Sequence, residues 1–308
     1  MEHLARIQKA VDHIETLIGT SSQDAVGLNP ETIARVAGFS MWHFQRVFSA
    51  AVGHPLKDYI RRRRLSLSLK ELAKPEPRIL DIALDAGFES QEAFTRAFKD
   101  CFGVTPGDAR KSLLGDASKS GGINLTLMAK PRITYEYLDH LYGGITMEPT
   151  YINVPEKHYV GVAGTFISVL SPEKNNMTII PALWQRYIPR AQAIPNRKSP
   201  VDVGVCAAVP DAERKHPEEC FYMAGTEVSS LAEIPEGMTG RSVPEGNYAV
   251  FIHKGKLDTI EHTMRYIYGS WLPRSGKKLR QAPDLEVYGP KFKLNQDDSE
   301  LEIQIPIE

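Results

Sequence analysis

At 308 residues the chain is long for one compact core, which favours two domains of ordinary size. With 42% hydrophobic and 24% charged residues and no low-complexity tract, its composition excludes a disordered or fibrous protein, and no apolar run approaches the roughly 20 residues needed to span a bilayer. The net charge of −1 gives no global argument for nucleic acid, and Cys101, Cys206 and Cys220, without Cys-x-x-Cys spacing, suggest neither a disulfide framework nor a zinc site.

The N-terminus, Met1-Glu2-His3-Leu4-Ala5-Arg6, lacks the basic start and apolar run of a signal peptide, so the cytoplasm is the expected location. Residues 1–112 read as helices throughout. Ile7, Val11, Ile14, Leu17 and Ile18 form an apolar stripe that Gly19 ends. Asn29-Pro30 starts a second helix, because Asn accepts from first-turn N–H groups and Pro fits the first helical position.

An internal repeat follows. Ile33-Ala34-Arg35-Val36-Ala37-Gly38-Phe39 is echoed by Ile82-Ala83-Leu84-Asp85-Ala86-Gly87-Phe88. Phe44-Gln45-Arg46-Val47-Phe48 is then echoed by Phe94-Thr95-Arg96-Ala97-Phe98, with one extra residue in the second turn. Each copy, about 29–52 and 79–102, reads as a short helix, a Gly turn and a second helix, the pattern of a helix-turn-helix.

Ser40 and Ser90 are positioned to cap the second helix of each unit. With Phe44, Val47, Phe48 and Ala51 inward, the first unit is expected to turn Trp42, Gln45, Arg46 and Ser49 outward. The second, with Phe94, Ala97, Phe98 and Cys101 inward, leaves Gln91, Glu92, Thr95, Arg96 and Lys99 outside. Arg can bond guanine in bidentate fashion and Gln the adenine edge, so these sets suit base reading in a major groove. A solvated polar face is the plain alternative for either helix alone. Between the units, Lys57 to Lys74 reads as one long helix of roughly 25 Å, at about 1.5 Å per residue. It could space two reading helices about one DNA turn, roughly 34 Å, apart. Its run Arg61-Arg62-Arg63-Arg64 offers phosphate contacts, Arg61 and Arg62 foremost, beside pairing with carboxylates of its own domain.

Gly115, Ser118, Ser120, Gly121 and Gly122 mark a linker, placed at 113–149. Beyond it, Tyr151–Val154, Tyr159–Ala163, Tyr248–Ile252 and Leu301–Ile305 read as strands, and helices are expected near Ile180–Ala193 and Leu257–Leu272. Two strand groups with one helix each suggest an α+β domain of two similar halves over 150–308. This domain shows no phosphate loop, no His-Glu-x-x-His and no Gly-x-Ser-x-Gly, so no catalytic residue, metal or cofactor is expected. Its aromatic residues, Trp184, Tyr268 and Trp271 among them, build a core or line a pocket. Glu302 lies in an alternating strand, where a surface carboxylate is the plain reading.

Trp42-His43-Phe44-Gln45-Arg46, Tyr59-Ile60-Arg61, Arg63-Arg64-Leu65-Ser66, Ile79-Leu80-Asp81-Ile82-Ala83 and Phe94-Thr95-Arg96-Ala97-Phe98 resemble the AraC/XylS family DNA-binding domain, nearest its Rob, MarA and SoxS branch. The resemblance implies base contacts by Trp42, Gln45 and Arg46, and by Gln91, Thr95 and Arg96. Val243-Pro244-Glu245-Gly246-Asn247-Tyr248, Trp271-Leu272-Pro273-Arg274-Ser275-Gly276 and Glu302-Ile303-Gln304-Ile305-Pro306-Ile307 are similar to a GyrI-like effector-binding domain. That likeness implies two SH2-like βαββ halves around an aromatic groove with a Glu at its base, identified with Glu302, and Trp271, Trp184 and Tyr268 beside it. The expected whole is a multidomain, ligand-responsive transcriptional regulator. Its partners are double-stranded DNA with a two-part operator, an amphipathic cationic or aromatic small molecule, and RNA polymerase, with no membrane. Two alternatives stand: a GyrI-like hydrolase using Glu302, and a C-terminal protein-interaction module.

Overall fold

A computed structural model describes residues 2–18, 28–115, 128–142, 147–171, 173–210 and 212–308. Gly19 and the linker residues Ser118, Ser120, Gly121 and Gly122 lie outside the described residues. By its contacts the chain divides into two compact units, one of Leu4–Phe44 with His54–Thr134, the other of Tyr135–Glu308 with Met1–His3 and Gln45–Gly53.

The helical elements are α1 (Glu2–Ile18), α2 (Pro30–Val36), α3 (Met41–Val52), α4 (Leu56–Leu72), α5 (Ile79–Asp85), α6 (Gln91–Phe102) and α7 (Pro106–Leu113). Local chemistry accounts for their ends. Asn29 accepts from the backbone N–H groups of Glu31 and Thr32, Ser90 from Ala93 at 3.1 Å, and Thr105 from Asp108, with Pro106 at the first helical position. The turns after α2 and α5 pass through Gly38 and Gly87 at φ of 71° and 74°, a left-handed conformation that glycine adopts without steric cost. Leu65, Leu69 and Leu72 of α4 pack with Ile82, Phe94, Phe98 and Ala109 in one core, so the long helix is the spine against which α5, α6 and α7 fold.

The division differs from the expected one in two places. Within 113–149 the chain forms α8 (Tyr135–Tyr142), which belongs to the second unit, as does Gln45–Gly53, the greater part of α3 with the glycine that follows it.

The second unit carries β1 (Thr150–Val154), β2 (Lys157–Ile167), α9 (Asn176–Tyr187), β3 (Arg197–Ala208), β4 (Glu219–Val228), β5 (Thr239–Val243), β6 (Gly246–Lys254), α10 (Ile260–Tyr266), α11 (Leu272–Ser275), β7 (Asp284–Tyr288) and β8 (Glu300–Ile307). A π-helical segment, Ile267–Trp271, joins α10 to α11. The strands form one eight-stranded sheet in the order β1-β6-β8-β7-β3-β4-β2-β5, with every pairing antiparallel. The succession strand, helix, strand, strand occurs twice, as β2-α9-β3-β4 and as β6-α10-β7-β8, and the halves meet where β3 pairs with β7. On one sheet face Val203, Val205, Met223, Tyr159, Tyr248 and Leu285 make a core. Since successive strand residues point to opposite faces, Cys206, Asp284, Glu286 and Tyr288 belong to the other face.

Candidate functional site

On α6, Phe94 and Phe98 are buried, while Gln91, Glu92, Arg96 and Lys99 are exposed and Thr95 is half-buried. This is the orientation expected of a reading face. On α3 the corresponding face is covered. Trp42 and Gln45 are half-buried, whereas Arg46 is only 5% and Ser49 only 1% exposed. The expectation that Arg46 and Ser49 point to solvent is corrected here, because this part of α3 packs within the second unit: Gln45 Nε2 donates to the Pro217 carbonyl, and Arg46 donates to the Asp284 carboxylate.

The arginine run of α4 is largely engaged. Arg61 and Arg62 both donate to Asp58, at 2.8 and 2.7 Å. Burial would raise the Asp58 carboxyl, but hydrogen bonds from His54, Arg62 and Arg61 hold it well below the usual carboxylate range. Arg63 is buried and grips Glu15 through two bonds, at 2.7 and 2.6 Å, while Tyr59 donates to the same carboxylate at 2.7 Å. Arg64 lies across the turn at Gly87, where any side-chain carbon would stand 2.8 Å from its guanidinium.

The second unit holds a cleft with about 690 Å³ of empty space, part of it open to solvent. Phe166 of β2, Met177, Ile180 and Pro181 of α9, and Leu257, Ile260 and Met264 at the α10 end supply an apolar wall. Into that wall are set Glu286 and Tyr288 of β7, Asn176 of α9, Cys206 of β3 and Arg46. Glu286 accepts from the hydroxyls of Tyr222, at 2.7 Å, and Tyr288, at 2.9 Å, and Trp184 Nε1 donates to the Tyr222 hydroxyl at 3.2 Å. The Trp184 and Tyr288 rings meet edge to face, their centroids 4.6 Å apart. Burial pushes the Glu286 carboxyl above its ordinary value, and the two tyrosine hydrogen bonds only partly oppose it. Although densely surrounded, Glu286 keeps partial solvent access, as a carboxylate lining an open cleft does.

Glu302 does not occupy this place. On β8 it stands opposite Val287, whereas Glu286 stands opposite Ile303, so the two glutamates face opposite sides of the sheet. Glu302 instead accepts from Gln304 at 2.5 Å. Trp271 is likewise corrected from the cleft to the core, where it is 7% exposed and packs edge to face on Phe251. Tyr268 is buried at the Arg46–Asp284 pair, to which it donates at 2.9 Å, and does not line the cleft. Of the four residues expected around the ligand, only Trp184 adjoins the cluster at Glu286.

Glu286, Asn176 and Asp284 are not singled out by the sequence reading, which includes Tyr222 and Tyr288 only among the aromatic residues that build a core or line a pocket. The visible signal was Asp284-Leu285-Glu286-Val287-Tyr288, an alternating segment whose acids and tyrosine share one face.

Comparison with known proteins accords with both parts. Residues 147–308 match the GyrI-like small molecule binding domain family, and residues 33–112 match a helix-turn-helix domain family. Over 293 residues the chain is 29% identical to the Right origin-binding protein of Escherichia coli K12, covering 91% of this chain and 92% of that one. Over 266 residues it is 28% identical to the transcriptional regulator Rob of Salmonella typhimurium, covering 85% of each. Over 86 residues it is 44% identical to the regulatory protein SoxS of Escherichia coli K12, covering 28% of this chain and 80% of that one. The chain belongs to the AraC-type regulators in which a helix-turn-helix domain is joined to a GyrI-like small molecule binding domain, and is a DNA-binding transcriptional regulator with a small-molecule domain.

Proposed function

We propose that α2–α3 and α5–α6 are two tandem helix-turn-helix units that read the two halves of one operator, and that a lipophilic cation in the cleft at Glu286 controls that reading. The repeat and the matching positions of Arg46 and Arg96 support two readers, and the exposed set on α6 supplies donors and acceptors of the kind base edges require. The 17-residue α4 is long enough, at about 25 Å, to hold the units as separate readers. On this reading Trp42 and Gln45, with Arg46 once it is released from Asp284, serve one half-site and Gln91, Glu92, Thr95, Arg96 and Lys99 the other. Arg61 and Arg62, partly exposed beside Asp58, contact phosphates. The complex acts on RNA polymerase at promoters, in the cytoplasm.

The observation that carries the effector class is one carboxylate, Glu286, held by two tyrosines at an apolar, aromatic-rimmed cleft. Charge pairing and cation–π contact, about 0.5–2 kcal/mol for each ring, favour a cation with apolar bulk. Asn176 adds a preference, since its buried Oδ1 has no hydrogen-bond partner among the described residues and suits an N–H donor on the ligand. A hydrolase reading would need a water held against Glu286 and turnover of an ester. Titration with benzyltrimethylammonium, followed by aromatic fluorescence, tests the proposal: binding that Glu286→Gln weakens at least tenfold is expected. Equal binding by both proteins would contradict it, and ester turnover lost in the variant would favour the hydrolase.

A further inference from the structure

Arg46 has the surroundings of a bound ligand. Its guanidinium donates to the Asp284 carboxylate, to the Tyr268 hydroxyl at 2.7 Å and to Cys206 Sγ at 3.4 Å, and its carbon lies 5.3 Å from the centre of the Tyr268 ring. Tyr268 in turn donates to Asp284, closing a triangle of two donors on one buried carboxylate. The same Arg46 and Cys206 also line the cleft, so this nest adjoins the Glu286 cleft, with the Arg46 side chain between the two. Asp284 and Glu286 stand two residues apart on one face of β7, roughly 6.5 Å along the strand. Glu286 thus lines the cleft, Asp284 stands behind Arg46 at its edge, and among the described lining residues Arg46 supplies the guanidinium.

We propose that Asp284, Tyr268 and Cys206 form a planar-cation subsite of the cleft, occupied here by Arg46 as the chain's own ligand, and that an aromatic effector with an amidinium or guanidinium head displaces it. The inference rests on the reading of the cleft as an effector site. A fork of N–H donors in one plane matches a carboxylate flanked by a hydroxyl, whereas a quaternary ammonium brings no donor to it. Withdrawing Arg46 without replacement would strand Asp284 as an unpaired charge in the interior, which is strongly unfavourable. A replacement cation removes that penalty. The N–H groups released are those that would bond a guanine edge, so Arg46 serves either Asp284 or DNA, and the effector determines which.

Calorimetric titration of the full chain with benzamidine, with neutral benzamide as control, tests the subsite. Arg46→Ala empties it and is expected to bind benzamidine at least tenfold more tightly than the wild type. Adding Asp284→Asn to Arg46→Ala should abolish the gain, and benzamide should show none. Equal benzamidine affinity in wild type and Arg46→Ala would overturn the proposal. A second measurement needs no variant: phenylglyoxal labelling of Arg46 in the wild type, read by peptide mass, should be slow alone and at least threefold faster with saturating benzamidine. Unchanged labelling would overturn the proposal too. Benzyltrimethylammonium binding that is indifferent to Glu286→Gln would instead count against the cleft as an effector site, so the two failures are distinguishable.

Discussion

Gly204 faces the hydroxyl of Tyr222 so closely that a side-chain carbon there would stand 2.2 Å from that oxygen and 3.0 Å from Glu286 Oε2. The absence of a side chain on β3 is what lets Tyr222 reach the Glu286 carboxylate across the sheet. A methyl group must push the Tyr222 ring, which is fully buried, and overpacking of this kind costs about 1–3 kcal/mol. Gly204→Ala is therefore expected to lower thermal stability and to weaken cation binding, measured by calorimetry, while Gly289→Ala, which meets nothing within 4 Å, leaves both unchanged.

Glu286 gives the cleft a pH dependence of definite sign. Burial raises its folded pKa above the ordinary value of 4.5, so its protonated form favours the folded chain, and that contribution is lost as pH rises through the folded pKa. A cation needs the carboxylate form, so affinity should rise over the same interval. Titrations with benzyltrimethylammonium between pH 5 and 8 are expected to show tighter binding at higher pH in the wild type and a flat profile in Glu286→Gln. The same variant should melt at a higher temperature than the wild type at pH 8, and a lower melting temperature would count against an ionised Glu286.

Glu15 has the opposite sign. Burial would raise its pKa, but the bonds from Arg63 and Tyr59 more than reverse this, so the stability it confers is present above pH 4.5 and is lost as pH falls through its lowered value. Arg63 and Glu15 are both largely buried, and removing one partner strands the other. Arg63→Ala is expected to destabilise the helical unit by about 3–5 kcal/mol in urea unfolding. Lys70→Ala, on the exposed side of the same helix, should cost under about 1 kcal/mol.

Base reading and phosphate contact separate by mutation. Arg96→Ala, and Arg46→Ala in the presence of an aromatic cation, are each expected to relax preference at a different half-site, by about 1–3 kcal/mol at one base pair. Arg62→Ala should weaken binding to all sequences alike and flatten its salt dependence. Equal, sequence-independent losses in all three would contradict the assignment.

Much of this was legible in the sequence because local chemistry carried it. The capping residues Asn29 and Ser90, the turn glycines Gly38 and Gly87, and the apolar spacing of Phe94 and Phe98 are short-range signals, and the structure places them as expected. Strands β1, β2, β6 and β8 were read, whereas β3, β4, β5 and β7 were not. In β7 two acids alternate with Leu285 and Val287, and polarity alone does not say which face is buried. Glu302 was identified through the family resemblance, and which glutamate faces the cleft depends on the register across β7 and β8, a long-range fact. The burial of Arg46 is also tertiary: an arginine on the polar side of an amphipathic helix reads as solvent-facing until its carboxylate partner, 238 residues away, is placed beside it.

The most direct test of the account is selection of binding sites from a random duplex library by the full-length protein at about 0.15 M salt, with and without an aromatic cation in the cleft. A two-part motif with centres about 10 base pairs apart is expected, in which one half is enriched in every condition and the half read by α3 sharpens when the cation is present. A single half-site unaffected by the cation, or no enriched motif at all, would contradict a ligand-controlled two-helix reader.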